Sequence, residues 1–168
     1  MNWFLPSTTF LSFDSWFIIK STLGLNGAST LSVTGGESLT LVQALEATVT
    51  TIDASGMTGV VGLSLSADPA ALAITATGSG GVDSLRATDT GKDMISAGGG
   101  NDTITFATDD TFTVLDTVDG GAGVDTLSLA EDTLVSSQLG GVSNVEKITM
   151  TAGSTVTLTT DVSATTFN

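Results

Sequence analysis

Ala97-Gly98-Gly99-Gly100-Asn101-Asp102-Thr103-Ile104 and, 23 residues on, Gly120-Gly121-Ala122-Gly123-Val124-Asp125-Thr126-Leu127 are two copies of one nonapeptide, G-G-x-G-x-D-x-U-x, where U is apolar. The glycines supply positive-φ turns and let backbones approach without Cβ clashes. The residues after each Asp alternate polar and apolar, the period-2 signal of a short strand. Two weaker copies precede them, Gly78-Ser-Gly-Gly81-Val-Asp83-Ser-Leu85 and Gly91-Lys-Asp93-Met-Ile95. A strand of about three residues and a tight turn, repeated at this spacing, predict an all-β fold. The expected fold is a parallel β-solenoid (β-roll or β-helix) with Gly/Asp-rich calcium-binding turns. Two half-turns make a coil of about eighteen residues in this repeat geometry. The apolar residue two after each Asp points inward, so Leu85, Ile95, Ile104, Val118 and Leu127 form a thin core.

Asp-x-apolar triplets begin at Asp83, Asp93, Asp102, Asp110, Asp116, Asp125 and Asp132, and eleven of the 18 acids lie from Asp83 to Asp132. Carboxylates beside tight Gly turns, whose carbonyls converge, suit calcium, a hard cation with 6–8 oxygen ligands. The candidate metal ligands are Gly81, Asp83, Gly91, Asp93, Gly98, Gly100, Asp102, Asp116, Gly121, Gly123 and Asp125. Asp83 and Asp102, nineteen apart, belong on one face, with ions expected between their Gly-rich turns. Asp93 faces the other, with Asp109, Asp110 and Asp116 as candidate partners, while Asp125 closes a site with Gly121 and Gly123. In a metal-free alternative each Asp caps backbone amides as in an Asx-turn. Asp53, Asp68, Glu146 and Asp161 are read as caps or solvated residues.

This block resembles the RTX, or haemolysin-type, calcium-binding repeat. Thr-Thr-Ile-Asp-Ala-Ser-Gly at 50–56 and Ser-Asn-Val-Glu-Lys-Ile-Thr at 143–149 are similar to modules of calcium-binding S-layer proteins and related surface proteins of Gram-negative bacteria. The resemblance implies type I secretion, folding on meeting extracellular calcium, and assembly or adhesion at the cell surface. Thr88 and Val114 stand where the motif has glycine, the copies are not contiguous, and the C-terminal residues do not resemble a secretion signal. The expected organisation is an apolar cap or remnant (1–28), a Thr/Ser-rich β module (29–77), an RTX-like calcium-binding β-roll (78–134) and a Thr-rich β module (135–168). The expected role is a structural segment of a secreted S-layer-like or adhesin-like protein, whose partners are calcium and neighbouring repeats. The alternative is the secretion and folding module of a longer exported hydrolase or toxin.

Composition agrees. Eighteen acids against four basic residues give a net charge of −14, which disfavours nucleic acid and anionic membranes as partners. The chain lacks Cys and His, which removes disulfides, thiolate or imidazole zinc sites and His-based triads. No nucleotide loop, nucleophile elbow or EF-hand is present, and no enzymatic activity is expected. Six of the nine aromatics, Trp3, Phe4, Phe10, Phe13, Trp16 and Phe17, crowd the first 25 residues. Pro6, Asp14 and Lys20 interrupt them, and no apolar run reaches the roughly 20 residues of a membrane helix; a cleaved signal peptide is not expected without a basic n-region. Residues 29–34, 39–42, 48–52, 63–66 and 72–77 read as strands and 37–47 as a short helical candidate. Thr-x-Thr pairs at 48/50, 75/77, 103/105, 149/151 and 155/157 suggest ice or flat-surface binding if they stack in one file; their irregular spacing argues against it.

Overall fold

The computed structural model describes residues 8–13, 17–19, 27–42, 45–66, 73–151 and 154–157. Alternating polar and apolar residues between Gly-rich turns wind this chain into a parallel β-solenoid. One seven-stranded sheet stacks β1 (Thr8–Phe13), β3 (Thr30–Gly35), β5 (Thr51–Met57), β7 (Thr75–Thr77), β9 (Met94–Ser96), β11 (Thr117–Asp119) and β14 (Val142–Ser143) in that order. The other stacks β2 (Phe17–Ile19), β4 (Leu39–Leu41), β6 (Val61–Leu65), β8 (Val82–Arg86), β10 (Thr103–Phe106), β12 (Thr126–Leu129) and β15 (Lys147–Met150). Every strand pairs with its equivalent one coil away, and all pairings are parallel. Residues 37–47 are therefore not a helix where they are described as β4; Leu39 and Leu41 face the core around a half-buried Thr40.

The coil is longer than the eighteen residues expected. Along the first sheet the register advances from Thr30 to Thr51, Thr75, Met94 and Thr117, steps of 21, 24, 19 and 23. The longer coils carry extra residues in their connections. In the coil between Met94 and Thr117 these lie in 107–116, where Phe112 is buried and its ring meets Phe106 edge-on at 4.9 Å and 64°. One coil later this side becomes a third, two-stranded sheet of β13 (Thr133–Val135) and β16 (Thr155–Thr157). The roll thus gains a third wall towards its C-terminal end.

The core is the inward file of each strand. Leu85, Ile95, Ile104, Val118 and Leu127 are all buried, as their spacing from Asp predicts, and Phe112 and Leu134 from the remaining two triplets join them. Parallel stacking places each such residue over its equivalent, for example Leu85, Ile104, Leu127 and Ile148.

Candidate metal centre

The period of a strand decides where the acids go. Residues i and i+2 of a strand share a face, and in five of the seven Asp-x-apolar triplets the Asp turns inward with its apolar partner, while Asp110 and Asp132 are exposed. Asp83, Asp93, Asp102, Asp116 and Asp125 are all buried. A buried carboxylate is costly unless its oxygens are satisfied. Stacking supplies the first partner: each Asp Oδ1 accepts a backbone N–H from the preceding coil. On one edge Leu63 donates to Asp83, Asp83 to Asp102 (2.8 Å) and Asp102 to Asp125 (2.7 Å), and Asp125 donates to Glu146 Oε2 (2.7 Å). On the opposite edge Ile74 donates to Asp93 and Asp93 to Asp116, both at 2.8 Å. Asp83 and Asp102 thus share a face as expected. The coil partner of Asp93 is Asp116, and the upstream neighbour of Asp125 is Asp102.

The second oxygen divides the acids into two groups. Asp83 Oδ2 accepts the Ser79 N–H (2.7 Å) and hydroxyl (2.9 Å). Asp93 Oδ2 accepts the Thr88 N–H at 2.9 Å, and Asp116 Oδ2 accepts the Thr113 N–H (2.7 Å) and hydroxyl (3.0 Å). At Asp102 and Asp125, Oδ2 is buried with no hydrogen-bond partner. These two belong to the turns with the strongest motif. Their glycines at 98, 100, 121 and 123 all have positive φ, from 92° to 148°. The turns stack directly: Gly99 bridges Ala122, Ala122 N–H donates to Gly98 O, Gly100 N–H donates to Ala122 O (both 2.9 Å), and Val124 N–H donates to Asn101 Oδ1 at 3.0 Å.

Burial raises the carboxyl pKa of Asp83, Asp93 and Asp125, against the pull of their backbone donors. Asp102 is pushed up to about 6 by burial, with the charges of Asp83 and Asp125 above and below adding to the rise. The column is an acidic stack that resists full ionisation by itself.

Of the remaining candidates, Gly91 holds the Asp93 turn at φ 99°, and Gly81 donates its N–H to Ser79 Oγ. Asp109 and Asp110 fall on the third side rather than beside Asp93, where one carboxylate oxygen of each and one of Glu131 lie within 4.8 Å of one another. Glu131 is buried and accepts N–H groups from Phe112 (2.9 Å) and Asp110 (3.2 Å); burial raises its pKa. Asp109 Oδ1 accepts the Asp132 N–H at 2.8 Å. Asp53 takes the N–H and hydroxyl of Ser55, and Glu146 caps the column, as read from sequence; Asp68 and Asp161 lie outside the described residues. Sequence reading missed Ser79, Thr113 and Glu131. The signal for the first two was a hydroxyl residue three or four positions before the Asp.

The Thr-x-Thr pairs do not form one face: 75/77 lies in the first sheet, 103/105 in the second and 155/157 in the third. None of the described helices is long and apolar enough to cross a membrane. Comparisons with protein-family models, curated proteins and solved structures return no match.

Proposed function

We propose that this chain binds calcium at the turns 98–102 and 120–125, as a folding clamp in a structural segment of a secreted surface protein. The observation that carries this reading is the pair of buried, unpartnered carboxylate oxygens of Asp102 and Asp125 on successive coils. A buried carboxylate at neutral pH needs a positive partner. All nearby donors to such a partner are oxygens, the set that fits calcium rather than a softer metal. Asp102 and Asp125 would hold the ion with turn carbonyls of Gly98, Gly100, Gly121 and Gly123. Bound calcium supplies the positive charge that lets both carboxylates ionise inside the stack, and its binding energy adds to folding. The remaining acids, closed by amides and hydroxyls, follow the metal-free capping alternative.

Placement outside the cell rests on the resemblance to RTX and S-layer-like repeats, with calcium-poor cytosol keeping the chain unfolded and export-competent. The repeat architecture supports a structural role, since coils that stack strand on strand add to one another along the sheet. The test is calorimetric titration of the purified chain with calcium chloride, followed by circular dichroism with and without chelator. Binding and a gain of β signal are expected, while an unchanged spectrum without binding heat overturns the reading. At a hundredfold excess over the dissociation constant, each site adds about 2.7 kcal/mol.

A further inference from the structure

We propose that the residue at the mouth of each turn selects which coils take calcium: a serine or threonine closes its aspartate, and a positive-φ glycine leaves it open. This rests on the calcium reading above. Three stacked turns on one edge provide the comparison, because Ser79, Gly98 and Gly121 each stand four residues before their Asp. Ser79 directs both N–H and hydroxyl onto Asp83 Oδ2, and its Oγ accepts the Gly81 N–H at 3.0 Å. One side chain thereby ties the turn and neutralises the need for an ion. Gly98 and Gly121, at φ 103° and 92°, have no hydroxyl, and no N–H reaches the Asp oxygen.

The opposite edge repeats the closed arrangement independently. Thr113 gives its N–H and hydroxyl to Asp116 Oδ2 and accepts the Leu115 N–H at 3.2 Å. Thr88 gives its N–H to Asp93 Oδ2; its single hydroxyl hydrogen is shared between Asp93 and the Thr90 carbonyl, at 2.9 and 2.5 Å. The amide closes each of these turns because its residue stays out of the left-handed region, with the hydroxyl helping to hold it so; a glycine at the same place is free to turn its amide away, as Gly98 and Gly121 do. Closure cannot be transferred to the open turns, since a Cβ on Gly98 would collide with the Ser79 carbonyl and one on Gly121 with the Gly98 carbonyl. The two kinds of coil are therefore built as a set: Asp83, Asp93 and Asp116 form a metal-free frame on which two calcium coils are mounted at a single edge.

Opening a closed coil tests this. Ser79→Gly, in the full chain, should bind one more calcium ion than wild type in calorimetric titration. It should also melt lower in chelator and recover more on adding calcium, while Ser79→Thr keeps the wild-type stoichiometry. Thr113→Gly provides the same test on the other edge if Ser79→Gly does not fold. A folded glycine variant with unchanged stoichiometry overturns the selection rule. Failure of wild type itself to bind calcium overturns the calcium reading instead, and closure is then read from a lower chelator melt of Ser79→Ala than of wild type, a comparison free of the backbone entropy that glycine adds.

Discussion

Asp102 shows how a single residue carries both cost and use. Its place two before Ile104 turns it inward, its Oδ1 is held by the Asp83 N–H, and its Oδ2 meets no donor. Asp102→Asn keeps the shape and the Oδ1 acceptor but removes the buried charge. In chelator at pH 7 the variant should be more stable than wild type, by on the order of 1–2 kcal/mol. In calcium it should lose most of the metal-dependent gain. Thermal melts in the two conditions measure both effects; a variant that keeps the full calcium increment would remove Asp102 from the ligands. The inward apolar partners were legible, but parity alone does not separate the five buried aspartates from Asp110 and Asp132, which share the triplet and are exposed. The division among the five was only partly legible, because it depends on which amide and hydroxyl the folded turn aims at each Oδ2.

At the scale of the strand, β10 shows what the alternation determines. Ile104 and Phe106 are buried while Thr103 and Thr105 are half-exposed, and Ile104 sits between Leu85 and Leu127 of the neighbouring coils. Ile104→Ala should cost about 2–5 kcal/mol, from lost burial plus a cavity that the stacked coils cannot close. Thr105→Ala, at a half-exposed position further from the turn, should stay within about 0.5 kcal/mol of wild type. Urea denaturation in calcium checks the pair, and equal losses would show that the inward file is misassigned. The strands were readable from period 2 alone. The third wall was not: Phe112 and Leu134 carry the same triplet pattern as the rest, but they lie in the longer connections, and only the stacking of one coil on the next sets them on a side of their own.

For the molecule as a whole, the acidic column sets the response to pH. Asp102 is raised to about 6 from an ordinary value near 3.8. Between those values the folded chain holds a proton that the unfolded chain has released. Metal-free stability is therefore highest below about pH 4 and falls as pH rises towards 6, by about 3 kcal/mol from Asp102 alone. Asp83, Asp93, Asp125 and Glu131, also raised, add in the same direction. Calcium, which favours the ionised forms, should reverse the slope. Melting temperatures in chelator and in calcium between pH 4 and 8 provide the check, and a chelated chain that gains stability over this range would contradict the buried, unpaired state of the column. The sequence by itself determined the solenoid and the inward apolar file, because local turn chemistry and a period of two are properties of adjacent residues. Only the tertiary structure decided the coil lengths, the pairing of Asp93 with Asp116 and of Asp102 with Asp125, and which carboxylate oxygens lack a donor, because these depend on how residues 19 to 23 positions apart stack on one another.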